Sequence, residues 1–430
     1  MKRRTLLQQT GLAAVAPAFT LSACGGGDNE APNRYSYKTL VASPDAQASF
    51  PPSLSTVVSG DDFINAWGIA IRPAGAGGHF WVTAGRYSYQ FVGDVSASPD
   101  PKLRTLFQDG LRLMDVPGTE DGGFATGTAF NGAAIDSNTF WVNNQPVLVN
   151  NETRFLSGSA RFLFATDTGV ISGWTERDPG QAGVPVRTDG PAVAMVDDSA
   201  NGAAFFGLAL NPQTWQTLWV ADFGTKPRLR QFNAQWKEET LLGFANPFAT
   251  GTGGVAQPGD FVPFNVQALK VAGFDVVMVA YAKSQPDPND PTKFYAAEEV
   301  ALAANEEGET PNLGKVVMFS LAGQRLLTLD DQRLNAPWGV AVAPDNFGAL
   351  SGCILVGNFG GAGRIAGYDA KTGRFRDWLR AADGKPWALA GLWGMQFGNG
   401  VSLGDSNALY VAAGPEDETQ GVFGVIRPHN

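Results

Sequence analysis

Six small antiparallel sheets closed into a ring, a six-bladed β-propeller forming one all-β domain, is the architecture predicted by this 430-residue sequence. Three observations carry the prediction. The 53 Gly and 27 Pro are spread along the whole chain, as the turns between many short strands require. One phrase recurs six times: a turn former, an aromatic or small residue, Gly, then an alternating apolar run. Each copy is followed by a second β-rich run, and several by a third.

The copies are NAWGIA (65–70), TGTAFN (126–131), FGLAL (206–210), PFNV (263–266), APWGVAV (336–342) and LWGMQF (392–397). The second runs fall at 80–82, 162–165, 218–221, 276–279, 354–356 and 409–411, and third runs at 170–174, 316–319 and 364–368. Copies stand roughly 55 to 80 residues apart against the usual 40 to 50 of a blade, so loop insertions are expected. DAKTGR (369–374), LAGQ (321–324) and GGAGR (360–364) read as tight reversals, the last with no helix after it to make a phosphate loop. The copy at 392 leaves only about forty residues, too few for a whole blade at that spacing. The last sheet is therefore expected to borrow a strand from 35–40 or 55–58, which would leave no open sheet edge.

With 44% hydrophobic and 17% charged residues, the chain can bury a large core. Its formal charge of −10 gives no basic face for phosphates, which argues against nucleic acid as a partner. Cys24 and Cys353 are the only cysteines, and Cys353 lies in an apolar strand-like run as an inert core residue.

The first 23 residues read as an export signal. Lys2, Arg3 and Arg4 supply a twin-arginine opening, and an uncharged, mildly apolar stretch follows from 11 to 21, too short to span a bilayer. Leu21-Ser22-Ala23-Cys24 has the form of a lipobox, so Cys24 is the expected lipidation site, with residues 24–34 as a flexible tether. Gly25 follows Cys24 where an acid commonly retains lipoproteins at the inner membrane. The expected location is periplasmic, lipid-anchored, on the outer membrane. The propeller itself is expected over 35–430, with an insertion at about 284–313 whose part from 294 to 307 favours a short helix.

PFNVQ (263–267), NAPWGVAVAP (335–344), LVGNFG (355–360), FLFATDTGVISGW (162–174) and GLWGMQFGNG (391–400) resemble an uncharacterised bacterial propeller family that is itself similar to NHL-repeat proteins. The resemblance covers about residues 35–426 and implies the fold and an extracytoplasmic setting, with no activity to carry over. The sequence departs from it at TAGR (83–86), where an Asp-Asn type of turn is expected, and enlarges the segment after Lys283.

In a blade, the first strand starts on the face where the second ends. That topology is expected to gather Asn65, Asn131, Asn265 and Asn335 with Asp222, Lys283 and Asn358 on one face, and Trp67, Trp338 and Trp393 near the axis. Such a mouth would suit a sugar, a lactone or Ca²⁺, with Asp222 as the anionic metal ligand. Asn is also a turn former and Trp before Gly also packs between blades, so a structural reading stands beside the ligand reading. The insertion near 284–313 lies on the same face, as a lid or as a decoration. Only His79 and His429 exist, which disfavours histidine-based zinc or acid–base chemistry; His79 is expected in a solvated glycine-rich turn. Two functions remain: a membrane-anchored propeller binding a small molecule or protein without catalysis, and a Ca-dependent lactonase or esterase resembling gluconolactonase-type propellers.

Overall fold

The computed structural model describes residues 32–54, 63–178, 190–252, 255–287, 289–291, 294–296 and 312–429. Alternating apolar residues put them into six antiparallel sheets of four principal strands each, a six-bladed β-propeller. Blade 1 comprises Ile69–Ala70, Phe80–Ala84, Tyr87–Phe91 and Leu113–Asp115. Blade 2 comprises Ala125–Phe130, Phe162–Thr166, Val170–Trp174 and Val193–Asp197, and blade 3 Phe205–Leu210, Thr217–Asp222, Arg228–Asn233 and Glu238–Glu239. Blade 4 is built from Phe261–Val271, Phe274–Pro286, Gly314–Ser320 and Arg325–Leu329, and blade 5 from Pro337–Val342, Ile354–Asn358, Ile365–Tyr368 and Phe375–Trp378. Blade 6 takes three strands from the C-terminal end, Leu392–Phe397, Leu409–Ala413 and Val422–Pro428. Its outermost strand is Tyr35–Ala42, paired antiparallel from Tyr35↔Pro428 to Ala42↔Val422. The borrowed closing strand thus comes from the first of the two expected segments; 55–58 lies outside the described residues.

The second strand of each blade explains how neighbours adhere. Successive side chains point to opposite faces, so one strand feeds two interfaces. Phe80 and Val82 pack with Tyr410 and Phe423 of blade 6, while Trp81 between them packs with Phe162, Phe164 and Trp174 of blade 2. The Trp81 and Phe162 rings stack with centroids 4.1 Å apart. Leu218 and Val220 join Leu163 and Ala165 of blade 2, whereas Trp219 and Ala221 join Val277 and Val279 of blade 4. Buried on both faces, these strands read as continuous apolar runs. Each such side chain contributes up to about 1.5–3 kcal/mol when fully buried.

The first strand of each blade packs beside the first strand of the next, and blade 6 returns to blade 1. The glycine of the recurring phrase permits that approach. Gly68 donates its N–H to the Thr126 carbonyl of blade 2 at 3.1 Å, and a Cβ at Gly68 would lie 2.6 Å from that oxygen. A Cβ at Gly339 would meet the Trp393 carbonyl in the same way. Blade 4 has Asn265 in the glycine position, and its Nδ2 donates to the corresponding carbonyl, Trp338 O, at 2.8 Å. The departure at 83–86 has a local cause: Thr83 Oγ1 accepts from Gly68 N at 2.7 Å and donates to Thr126 O, tying blade 1 to blade 2.

Two expectations are corrected. Phe294–Ala296 is a short strand paired with Ser284–Pro286, not the start of a helix, and the rest of the expected helix lies outside the described residues. His79 is not solvated: it is buried, with Nε2 2.9 Å from Asp109 Oδ1. Blade 2 also carries an insertion absent from the sequence reading, a hairpin of Trp141–Val149 and Glu152–Ser159 between its first and second strands. Cys353 is buried in the hydrophobic core, and 1–31, with Cys24 and most of the tether, lies outside the described residues.

Replacing Gly68 by Ala is expected to cost about 1–3 kcal/mol of stability, because the added methyl meets backbone rather than a yielding side chain. Denaturant unfolding of the purified variant measures it.

Candidate functional site at the ends of the propeller axis

The axis has two ends, and the sequence builds them differently. At the end where the first strands start, the residues preceding the phrase glycines converge. Trp67 and Trp393 stack with centroids 3.9 Å apart, and Phe359 stacks on the other side of Trp393, also at 3.9 Å. Trp338 sits edge-on to Trp67 and Trp393, and Phe206 and Phe264 complete a buried cluster. Phe294 of the insertion packs against it. The start end is filled by rings.

Two of the expected amides bond to this plug, Asn265 through the Trp338 carbonyl and Asn65 through an indole. Asn65, at a left-handed φ of 45°, accepts from Trp393 Nε1 at 2.8 Å and donates to Glu418 Oε1 at 2.9 Å. Trp338 Nε1 donates to Phe206 O at 3.1 Å. Asn358 accepts from Asn335 N at 3.0 Å and donates to Arg333 O at 2.9 Å. The Asn335 side-chain amide itself is buried and has no hydrogen-bond partner among the described residues. Lys283 Nζ lies 4.9 Å from the Phe261 ring centroid.

Asp222 is the expected metal ligand, and its oxygens are already engaged. Oδ1 accepts from Ala204 N and Gly224 N, and Oδ2 lies 3.3 Å from Arg230 Nη1. Burial pushes its carboxyl above the usual value, against those two N–H groups and Arg230. Arg230 also meets Asp198 at 2.6 Å and Glu238 at 2.5 Å, so a guanidinium occupies the centre where three carboxylates converge. Among the described residues no cluster of His, Cys, Asp and Glu is placed to hold a metal ion. These donors do not fit the six to eight oxygens that Ca²⁺ prefers.

Asn131 is at the other end. It follows the last residue of a first strand, and its Oδ1 accepts from Ala133 N at 3.0 Å while Nδ2 donates to Ala160 O at 2.8 Å. The topological placement fails there because Asn131 closes its phrase instead of opening it.

At this far end a cavity of about 1380 Å³ opens, continuous in its lining residues with the gap between the first strands of blades 1 to 4. Its wall includes the turn after Asn131, which leads into the inserted hairpin, and Trp215 from the loop after Leu210. Set into it are Arg72, Arg161 and Glu176, each about nine-tenths buried. Arg72 Nη2 meets Glu176 Oε2 at 2.6 Å, and Arg161 Nε meets Oε1 at 3.3 Å. Arg161 Nη1 donates to Asn131 O at 2.7 Å and Ala133 O at 2.8 Å. Burial pushes the Glu176 carboxyl up, but Arg72 and Arg161 outweigh it and hold the group below its usual value. Burial pulls the Arg161 guanidinium below its usual value, against the carboxylate. Phe130 lies under both guanidiniums, with centroid distances of 5.9 and 5.8 Å.

Sequence reasoning missed this triad. The readable sign was positional: Arg72 follows a first strand, Arg161 precedes a second and Glu176 follows a third. All three boundaries fall on the far face, and each places a charge within two residues of the end of a strand.

No family model matches the chain. Two uncharacterized proteins of Acanthamoeba polyphaga mimivirus are similar to it. The first is 28% identical over 211 residues, covering 49% of this chain and 48% of that protein, so the alignment spans about half the length of each. The second is 24% identical over 368 residues, covering 85% and 75%. Among solved structures, a protein of unknown function from Bacteroides thetaiotaomicron matches 91% of this chain and 76% of its own at TM-score 0.43 and 12% identity. The Pan2 WD40 domain of Neurospora crassa matches 93% and 97% at TM-score 0.39 and 9% identity.

Asp167, in the turn between the second and third strands of blade 2, gives the start end a pH response. Burial raises its carboxyl from 3.8 to about 6, opposed by the Phe124 N–H at 2.7 Å. The folded chain therefore keeps a proton that the unfolded chain loses first. This group's contribution to stability is greatest below about pH 4 and declines as pH rises through about 6. Asp167→Asn is expected to flatten that decline, so the melting temperatures of parent and variant should diverge between pH 4 and 7, with the variant ahead at pH 7.

Proposed function

We propose that the protein is a membrane-anchored, extracytoplasmic propeller that binds a ligand in the far-face cavity without performing chemistry on it. One observation carries this reading: the start end of the axis is filled by Trp67, Trp338 and Trp393, while the far end opens into a cavity of about 1380 Å³. A concave site with apolar walls and a few convergent polar groups is the usual form of a small-molecule site. The address rests on the sequence alone: paired arginines, a short apolar stretch, and Leu21-Ser22-Ala23-Cys24 in that order. The phrases at 263–267, 335–344 and 391–400 support kinship with bacterial NHL-like propellers.

Cys24→Ser is expected to abolish labelling by radioactive palmitate and to move the protein from the membrane to the soluble fraction of an expressing Gram-negative host. Unchanged labelling and fractionation would overturn the anchor. For the site, Ala134→Trp fills the cavity from its exposed wall, and any ligand that raises the melting temperature of the parent should lose its effect.

A Ca-dependent lactonase or esterase is the competing reading. The arrangement around Asp222 speaks against it, since Arg230 holds the place of a cation. Chelator is expected to shift the melting temperature by less than about 1 °C, where loss of a structural ion would cost several degrees. A large chelator-induced fall, reversed by Ca²⁺, would restore the hydrolase.

A further inference from the structure

We infer that the Arg72–Glu176–Arg161 triad is the recognition site for a single carboxylate carried on a flat apolar body, such as an aromatic or other ring-bearing organic acid. This inference rests on the far-face cavity being the ligand site, and it names the class of ligand.

Charge is the first reason. Two guanidiniums share one carboxylate, so the triad carries a net charge of +1 with each member about nine-tenths buried. A buried charge without a partner is expensive, and one additional carboxylate would balance it. The second reason is unspent donors. Among the described residues Arg72 gives only Nη2 to Glu176, which leaves Nη1 for a ligand beside a buried, unpartnered Nε. Arg161 gives Nε and Nη1 to protein oxygens, which leaves Nη2. A planar guanidinium matches a planar carboxylate through paired N–H groups.

The walls set the rest of the ligand. Phe130 and Trp215, with ring centroids 6.2 Å apart, line the same cavity as the triad, so an apolar ring has surfaces to cover. The charges nearer solvent exclude a polyanion. Among the described residues Asp136, Asp178 and Asp275 outnumber Arg177 and Lys270 there, and Lys270 is tied to Asp275 at 2.7 Å. A phosphate ester or nucleic acid would meet that excess of carboxylates, whereas a monoanion placed on the buried triad balances the surplus charge there.

The competing account is purely structural: Arg72 belongs to blade 1 and Arg161 and Glu176 to blade 2, so the triad could serve only as a tie between blades. The two accounts differ in sign. Removing Glu176 damages a tie but raises the positive charge offered to an anion.

The full chain, purified in detergent, is titrated calorimetrically with benzoate and with its neutral analogue benzamide. Benzoate should bind, and benzamide should bind at least about tenfold more weakly. Arg72→Gln should weaken benzoate about tenfold or more, and Glu176→Gln should tighten it several-fold, each variant first checked for a cooperative melt. Equal binding of benzoate and benzamide, both lost in Ala134→Trp, would overturn the carboxylate while leaving the cavity as the ligand site. Benzoate binding that survives Ala134→Trp would overturn the cavity reading itself. No benzoate binding, or weakening by Glu176→Gln as by Arg72→Gln, would leave the triad a structural tie and end the inference. The benzoate and benzamide comparison on the unmutated chain decides the matter even if Arg72→Gln does not fold.

Discussion

Tyr35–Ala42 lies against Val422–Pro428, and everything else in the molecule presupposes that contact. A propeller blade is amphipathic on two faces, so an open row of blades would leave two large apolar surfaces in water. Closing the row removes both. Here the closing sheet is shared between the two ends of the chain, which makes the ring a clasp instead of a mere contact between blades 1 and 6. The clasp is costly to find during folding, because it joins segments nearly four hundred residues apart, and non-local pairing must meet its loop entropy before it gains anything. Once made, it leaves Leu40, Val41, Phe423 and Val425 buried in the same core as Phe80 and Val82 of blade 1.

Closure also dictates what happens on the axis. Six first strands brought side by side leave little room, which is why glycine stands at Gly68, Gly127, Gly207, Gly339 and Gly394. Asn265 stands in the sixth place by hydrogen-bonding the carbonyl it would otherwise crowd. The side chains just before these positions must converge, and in five of six blades they are Trp or Phe. Convergence of rings at one end gives a solid plug. At the other end the turn that leads into the inserted hairpin of blade 2 and the loop bearing Trp215 border an open cavity. The polarity of the site along the axis thus follows from which end of the recurring phrase carries the aromatic residue.

That consequence marks the limit of what the sequence disclosed. The strands were legible because every second run is a short, continuous apolar stretch bounded by turn formers, and the ring was legible because six copies of one phrase need neighbours on both sides. The clustering of Asn65, Trp67, Trp338 and Trp393 was legible from topology as well. What the pattern did not carry was radius: whether converging side chains leave a hole or fill it depends on ring sizes summed across five blades, a quantity no single copy reveals. Local propensity misled once more at Phe294–Ala296. Ala and Glu favour a helix there, but the long second strand of blade 4 overhangs its sheet and offers Ser284–Pro286 as a pairing edge, and tertiary context overrides propensity. Asn131 was displaced for a simpler reason, since the phrase was aligned on its glycine and Asn131 sits at its other end.

The triad at the far end is where stability and recognition pull apart. A buried ion pair seldom stabilises a fold more than well-packed apolar residues of the same volume would, because desolvation consumes most of the attraction. At several interblade seams this chain takes the apolar solution: Trp81 against Phe162, Trp219 against Val277, Phe91 against Phe423. At Arg72, Arg161 and Glu176 it does not, although Phe130, Phe162 and Ile71 surround the position with apolar neighbours that a Leu or Met could join. Two guanidiniums for one carboxylate also make a poor tie, since a single pair would join blades 1 and 2 without a surplus charge. A surplus cation at the bottom of an open cavity is therefore better understood as one half of an interaction whose other half arrives from solution.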